Sequence, residues 1–198
     1  MNDLYTGYPD HVEIDSKKYI INTDFRLMMQ FEIAAQHENK NEIGKVILNF
    51  YHGNLPDNID AAVREMIGFY LCGEVPDDKK TSSGNHDKKR CYAFDEDWKY
   101  IISAFRHQYG IDIINSKMHW YEFSALFSGL TGETEFVKIM QYRCTDIRKI
   151  KNKEEKNRIK RLQQRYALSE NKIKHFPSAA DRDADMINNL RKSLLQRK

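Results

Sequence analysis

The sequence predicts a mainly α-helical protein, with one compact multi-helix domain over residues 1–168 and a helical tail over residues 169–198. Three observations support this fold class. Apolar residues recur at helical spacing from Phe25 to Met140, alternation typical of strands is confined to the N-terminal region, and basic residues crowd the C-terminal part. With 198 residues, 40% of them hydrophobic and 12% aromatic, the chain can bury a sizeable core.

The N-terminal region is expected to form a small β-hairpin over residues 11–21, because apolar and polar side chains alternate on both sides of residues 15–17. An isolated hairpin is marginally stable in water, so this one should lie on the helices or on a partner. A helix follows over about residues 24–36, and either Asn22 or Thr23 is suited to cap it.

Two further helices are predicted over about residues 41–51 and 59–70, the second capped by Asp57. Apolar residues of the first follow the i, i+3, i+4, i+7 spacing of one buried stripe: Ile43, Val46, Ile47 and Phe50. Similar spacing in the second places Val63 and Met66 in the core. Gly73 and Pro76 are typical of the end of a helix.

Residues 74–90 combine Pro, Ser, Gly and dense charge without any apolar period, which predicts an exposed, disordered loop. Such a loop could separate two helical subdomains. Each subdomain would be small, however, so a single shared core is the favoured interpretation.

The second half begins with a helix whose cap is expected at Asp95 and whose apolar face includes Trp98, Ile101, Ile102, Phe105 and Tyr109. An aromatic-dense block then predicts two helices, over about residues 117–129 and 132–144. Trp120, Phe123 and Phe127 share one helical face, which is typical of core rather than of a ligand-binding box.

The last part of the chain predicts a basic helix over residues 153–168, with Asn152 and Glu155 spaced as in a capping box. A short terminal helix is expected after Ser178. Together these elements form the basic C-terminal helical extension.

The overall charge of +3 conceals a gradient from a net −8 over residues 1–78 to a net +10 over residues 148–198. A solvated helix face, a polyanionic partner, an acidic protein surface and head-to-tail self-association are all compatible with this asymmetry. The acidic N-terminus does not resemble a signal peptide, and no apolar stretch is long enough to span a membrane.

The chemistry-bearing residues do not predict an enzyme, a metal or a cofactor. Cys72, Cys91 and Cys144 are odd in number and far apart, which favours buried or idle thiols in a reducing cytosol. The spacing of His86 to these cysteines matches no zinc pattern. Acidic pairs such as Glu133 and Glu135 lie at predicted helix starts, where negative charge is stabilised, and the chain has no phosphate-binding loop.

The segment from Arg148 to Arg165 is the candidate partner-binding site, because it holds nine basic and only two acidic residues. Nucleic acid is a less favoured partner than protein, since the pI is about 8.6 and aromatics for base stacking are scarce in the segment. The nine candidate residues are Arg148, Lys149, Lys151, Lys153, Lys156, Arg158, Lys160, Arg161 and Arg165.

Several segments resemble the phage "gene product fifteen" family of siphophages and prophages of Gram-positive bacteria, in collinear order over about residues 4–168. They are YPDHVEIDSKKYIINTDFR from Tyr8, FYLCG from Phe69, AFRHQYGIDI from Ala104, HWYEFSALFSGL from His119 and KIMQYR from Lys138. The resemblance implies a role in tail morphogenesis. Genes of this family lie between those for the major tail and tape-measure proteins, where other long-tailed phages encode tail assembly chaperones.

The resemblance transfers no catalytic motif and implies an assembly chaperone or adaptor. Its partners would be the tape-measure protein or other tail proteins, with self-association also open and no membrane involved. It would act in the host bacterial cytoplasm and be absent from the mature virion. The alternative is a structural virion component, or a nucleic-acid-binding protein that uses residues 148–165.

Limited proteolysis of the isolated protein should cut first within residues 74–90. The composition of this loop cannot bury enough apolar area to offset the entropy of ordering it. Protection of the loop, with first cleavage elsewhere, would contradict its assignment as disordered.

Overall fold

The computed structural model describes residues 7–73 and 90–169. Within these ranges the chain forms a two-stranded hairpin and seven α-helices, which confirms the mainly helical fold class. The predicted loop over 74–89 and the terminal helix after Ser178 lie outside the described residues. The elements are β1 His11–Ile14, β2 Lys17–Ile20, α1 Phe25–Gln36, α2 Lys40–Phe50, α3 Ile59–Tyr70, α4 Phe94–Tyr109, α5 Trp120–Ser128, α6 Glu135–Cys144 and α7 Lys153–Arg165.

The described residues fall into two compact units. The first contains residues 7–73 and 118–125, and the second contains residues 90–117 and 126–169. Helix α5 therefore contributes its first six residues to one unit and its last three to the other. The assignment of residues 1–168 to a single domain stays a prediction.

The turn of the hairpin contains two residues rather than the three that were predicted. Asp15 and Ser16 have φ of 50° and 61°, the left-handed pair required by a type I′ turn, so strand β2 already begins at Lys17. Val12 pairs with Tyr19, whose ring meets the buried Tyr51 edge-on at 6.2 Å. The hairpin thus lies on the helices of its own unit, as expected.

The caps of the first helices differ from the prediction by one or two residues. Asp24, not Asn22 or Thr23, caps α1, because its carboxylate accepts the backbone N–H of Arg26 at 2.9 Å. The Asn22 side chain instead accepts the N–H of Asp24 itself. Helix α3 is capped by Asn58 rather than Asp57, since the Asn58 side chain accepts the N–H of Ala61.

The core of the first unit follows the predicted stripes closely. All four stripe residues of α2 are buried, as are Val63 and Met66 of α3. Tyr51 is 1% exposed and donates its hydroxyl to the Ala62 carbonyl at 2.7 Å. Burial raises the pKa of the Tyr51 phenol, so this hydroxyl stays a donor at any physiological pH.

The N-terminal part of α5 packs against the start of α1 and completes the core of the first unit. Trp120 donates its backbone N–H to the Thr23 carbonyl at 2.8 Å, and its indole donates to the Tyr70 carbonyl at 2.8 Å. Phe123 stacks on Phe25 with ring centroids 4.6 Å apart. Trp120 and Phe123 are 5% and 0% exposed, which confirms their prediction as core.

Helix α4 of the second unit buries Ile101 and Phe105 as predicted, but its buried face also includes Asp97 and leaves out Trp98. Its N-cap is Ala93 rather than Asp95, and the Ala93 N–H is accepted by the Asp97 carboxylate one turn further on at 2.9 Å. Because Asp97 takes an inward position, the neighbouring Trp98 turns outward and is 49% exposed. The prediction of Trp98 as part of the buried face is therefore wrong.

The remaining core of the second unit gathers around Phe136, which is fully buried on α6. Phe127 lies 5.3 Å from Phe136 and 5.5 Å from Phe94 between ring centroids, but it is only half-buried. Helix α6 begins at Glu135, three residues later than predicted, because Thr134 caps it by accepting the N–H of Val137.

Two of the three cysteines are bonded, which corrects the expectation of idle thiols. Cys91 and Cys144 form a disulfide between Cα atoms 5.6 Å apart, within the usual range for such a bridge. The wide separation in sequence concealed this pairing. Cys72 does not take part in this disulfide.

Across residues 7–73 and 90–169, no helix combines the length and apolarity needed to cross a bilayer.

Replacing Phe123 by Ala should lower the free energy of unfolding by about 3–5 kcal/mol, because the ring is fully buried between Phe25 and Trp120. The matched change Phe127→Ala should cost clearly less, roughly half as much, since its ring already contacts solvent. Urea unfolding of both variants measures the difference. Equal losses of unfolding free energy in the two variants would show that the exposure of the ring does not determine the cost of its removal.

Candidate functional site

The predicted partner-binding segment forms helix α7 and the short 3₁₀ turn Ile147–Lys149 before it. Asn152 caps α7 as predicted, because its side chain accepts the N–H groups of Glu154 and Glu155 at 2.8 and 3.0 Å. Glu155 does not complete a capping box, since its carboxylate binds Arg158 at 2.8 and 2.9 Å. The helix ends at Arg165, three residues earlier than predicted.

The inner face of α7 holds the helix against α6 through one apolar and one polar contact. Ile159 is the residue of α7 that is buried, at 6% exposure. Gln163, one turn further along, donates its side-chain amide to the carbonyls of Tyr142 and Thr145 at 2.9 and 2.8 Å. These carbonyls belong to the C-terminal end of α6, where intrahelical donors are missing. One glutamine therefore satisfies two acceptors while it fixes the register of α7.

A buried ion pair anchors the C-terminal end of α7. Arg143 of α6 binds the Asp97 carboxylate of α4 through two parallel hydrogen bonds of 2.6 and 2.9 Å, and these side chains are 6% and 2% exposed. The same guanidinium donates from Nε to the Tyr166 carbonyl at 2.6 Å and from Nη1 to the Cys91 carbonyl at 3.1 Å. One side chain thus joins α4, α6, the end of α7 and the segment that precedes α4.

The nine candidate cations are all exposed, as a binding surface requires. Arg148 pairs with Asp146 at 3.0 Å, and Arg158 pairs with Glu155 at 2.8 Å. The hydrogen bond from each arginine lowers the pKa of its carboxyl partner, so both acids stay ionised at neutral pH. Within the described residues, seven of the nine form no salt bridge: Lys149, Lys151, Lys153, Lys156, Lys160, Arg161 and Arg165.

The side of α7 opposite Ile159 presents a continuous polar row that we call the outer row, made of Lys153, Asn157, Lys160, Arg161 and Gln164. Lys160 and Arg161 are adjacent, and each is three or four residues from Asn157 and from Gln164, while Asn157 is four from Lys153; the five residues therefore lie on one side of the helix. Four of the five also line a shallow cleft together with Glu154. The outer row offers cationic and amide donors but no apolar contact area.

Two polar side chains of the first unit, Glu32 and His119, take part in structural hydrogen bonds. Glu32 is buried and accepts from the Tyr70 hydroxyl and the Gln36 amide, each at 2.8 Å. His119 accepts the N–H of Tyr121 at Nδ1 and lies 3.0 Å from the Pro9 carbonyl at Nε2. Both side chains therefore have structural roles that account for their positions.

Metal ligands do not gather in the described ranges, where no cluster of three His, Cys, Asp or Glu side chains occurs. His86, considered as a ligand from its sequence position, lies outside these ranges. Cys91, the other member of that group, is bonded to Cys144.

The sequence identified the exposed cations but not the groups that position them. In the sequence, Asp97 was one of three acidic residues at the start of a predicted helix, and Arg143 was simply the residue before Cys144. Neither position suggested a buried ion pair. Asp97 and Arg143 are 46 residues apart in the sequence, and no local sequence pattern predicts their pairing. Arg143 continues the i, i+3, i+7 spacing of the apolar residues Phe136 and Ile139, and this position on the apolar face of the helix was the available signal for a buried cation.

The fold and the site together define a class of protein. It is a mainly α-helical protein whose most basic segment is an exposed helix held in place by the rest of its unit. Residues 5–168 match the family model described as Bacteriophage Gp15 protein. The chain belongs to this family and is a phage structural or morphogenesis protein. No curated protein and no solved structure shows significant similarity to it.

Replacing Arg143 by Met should lower the free energy of unfolding by about 3–5 kcal/mol, because Asp97 is left buried without its partner. Replacing Arg158 by Met removes an exposed pair of similar geometry and should leave the free energy of unfolding nearly unchanged, because solvent screens that pair. Urea unfolding followed by circular dichroism measures both. A loss below 1 kcal/mol for Arg143→Met would contradict its role as the anchor of α7.

Proposed function

We propose that this phage protein is a non-enzymatic tail assembly chaperone or adaptor that binds the tape-measure protein through the outer row of α7. Membership of the Bacteriophage Gp15 protein family supports a phage assembly role. The single observation that carries the binding site is the rigidly supported helix with five exposed cations outside any salt bridge among the described residues. The protein acts in the host bacterial cytoplasm and is absent from the mature virion.

The outer row can contact the charged face of a tape-measure helix, whereas the apolar stripe of that helix would be covered by other contacts. Tape-measure proteins are long amphipathic helices that aggregate when bare, and helical proteins can cover such a stripe by helix-to-helix packing. The outer row extends from Lys153 to Gln164, which is about 16 Å along a helix axis. A parallel or antiparallel partner helix that presents carboxylates over about three turns would match it.

The support beneath the outer row favours binding to a protein. Asn152, Gln163 and Arg143 fix the start, the middle and the end of α7, so little of the backbone has to become ordered when a partner binds. Exposed cations contribute mainly to the association rate and to specificity, because water and salt screen them. The remaining affinity would come from other contacts of the same partner.

The alternative is a structural virion component or a nucleic-acid-binding protein. The same unpaired cations favour the second of these, since they could neutralise phosphates. Against it, the aromatic ring nearest to the outer row is that of Tyr166, which packs against Tyr100 and Tyr142 at 6.4 and 6.3 Å between centroids. A ring engaged in this way does not offer a stacking platform for bases.

Co-expression with the tape-measure protein of the same phage, followed by pull-down at about 150 mM salt, tests the proposal. The triple variant K153Q/K160Q/R161Q should retain at most one tenth of the wild-type yield of complex. The control K17Q/K18Q/K40Q removes the same charge from exposed lysines of the first unit and should leave the yield unchanged. Equal yields for wild type and both variants would contradict the assignment of the outer row.

The same proteins distinguish the alternative function. Gel shift with double-stranded DNA at about 150 mM salt should show no sub-micromolar binding by the wild type. Mass spectrometry of purified phage should not find the protein. Sub-micromolar DNA binding that the triple variant loses, or stoichiometric presence in the particle, would favour the alternative.

A further inference from the structure

We infer that Cys91 and Cys144 form a reversible thiol–disulfide exchange site that reacts with low-molecular-weight thiols and disulfides. This modification site goes beyond the tail-assembly role, because it involves none of the outer-row residues. The two Cα atoms lie 5.6 Å apart, a spacing that accommodates both the disulfide and the two thiols.

The two sulfurs differ in accessibility, and this difference determines which of them a small thiolate attacks. Cys144 is exposed at the last residue of α6, whereas Cys91 is half-buried. A small thiolate therefore reaches the Cys144 sulfur more easily than the Cys91 sulfur.

Reduction then proceeds in two balanced steps. The thiolate of the small molecule attacks Cys144 Sγ, a mixed disulfide forms there, and the bond to Cys91 breaks with its electron pair on Cys91 Sγ, which takes up a proton. A second thiolate attacks the sulfur of the bound small molecule. Its disulfide is released, and Cys144 leaves as a thiolate that takes up a proton. Oxidation by a small disulfide reverses both steps.

The surroundings keep the two cysteines together when the bond is open. Arg143, the residue before Cys144, donates to the Cys91 carbonyl at 3.1 Å while it is held by Asp97. The buried ion pair therefore positions both sides of the site independently of the sulfur–sulfur bond. This arrangement allows rapid closure after oxidation, because the reacting groups are already adjacent.

The covalent bond should change stability without being required for the fold. It closes a span of 53 residues that contains α4, α5 and α6, and a cross-link over such a span reduces the entropy of the unfolded chain. The oxidised protein should therefore melt on the order of 10 °C above the reduced one. The reduced protein should keep its helical circular dichroism spectrum.

The test uses the full chain treated with oxidised glutathione or with dithiothreitol. Maleimide labelling under denaturing conditions should count one thiol, that of Cys72, after oxidation and three after reduction, and peptide mapping should find Cys91 joined to Cys144. The variant Cys91→Ser should accumulate a glutathione adduct on Cys144. Under the same conditions Cys144→Ser should form its adduct on Cys91 at least tenfold more slowly.

The variant Cys72→Ser is the matched control and should keep the cross-link, the exchange and the difference in melting temperature. Three independent thiols after glutathione oxidation of the wild type would overturn the proposal. So would a cross-link that includes Cys72, or equal adduct rates on Cys91 and Cys144. Because the wild-type measurements need no substitution, they decide the matter even where a variant folds poorly.

Discussion

The buried ion pair between Asp97 and Arg143 is the constraint on which the second unit depends. Two desolvated charges are costly unless each is fully hydrogen-bonded, and here the guanidinium meets a carboxylate and two backbone carbonyls. Removal of either charge would strand the other in the interior. The pair therefore specifies one arrangement of α4, α6 and the end of α7, and an apolar substitute could not reproduce its directional contacts. It also explains why Trp98 faces solvent, because Asp97 occupies the inward position beside it.

Because the ion pair holds the end of α7, the two faces of this helix have different roles. Its inner face is committed to structure through Ile159, Gln163 and the Tyr166 carbonyl, while its outer row carries cations that the described part of the fold leaves outside salt bridges. The separation of a fixed inner face from a cationic outer face is what makes α7 the best-supported interaction surface in the described residues.

Local patterns in the sequence predicted most of the elements, and long-range chemistry accounts for what they missed. The stripe of α2 and the core positions Trp120 and Phe123 followed from apolar spacing, which depends only on nearby residues. Caps shifted by one or two residues, because several Asn, Asp and Thr side chains compete within a few positions. The pairs Asp97–Arg143 and Cys91–Cys144 join residues about 50 positions apart, so no periodicity could reveal them. The cations of the candidate site were visible in the sequence, but the groups that hold them in place were not.

The central claim is that a rigid α7 presents the outer row to the tape-measure protein, and lysine footprinting of the assembled complex tests it most directly. Acetylation rates of Lys153 and Lys160 should fall at least fivefold when the complex forms, while those of Lys40 and Lys45 in the first unit should not change. Quantitative mass spectrometry of the labelled peptides reads both sets in one sample. Protection of Lys40 and Lys45, with Lys153 and Lys160 as reactive as in the free protein, would contradict the account.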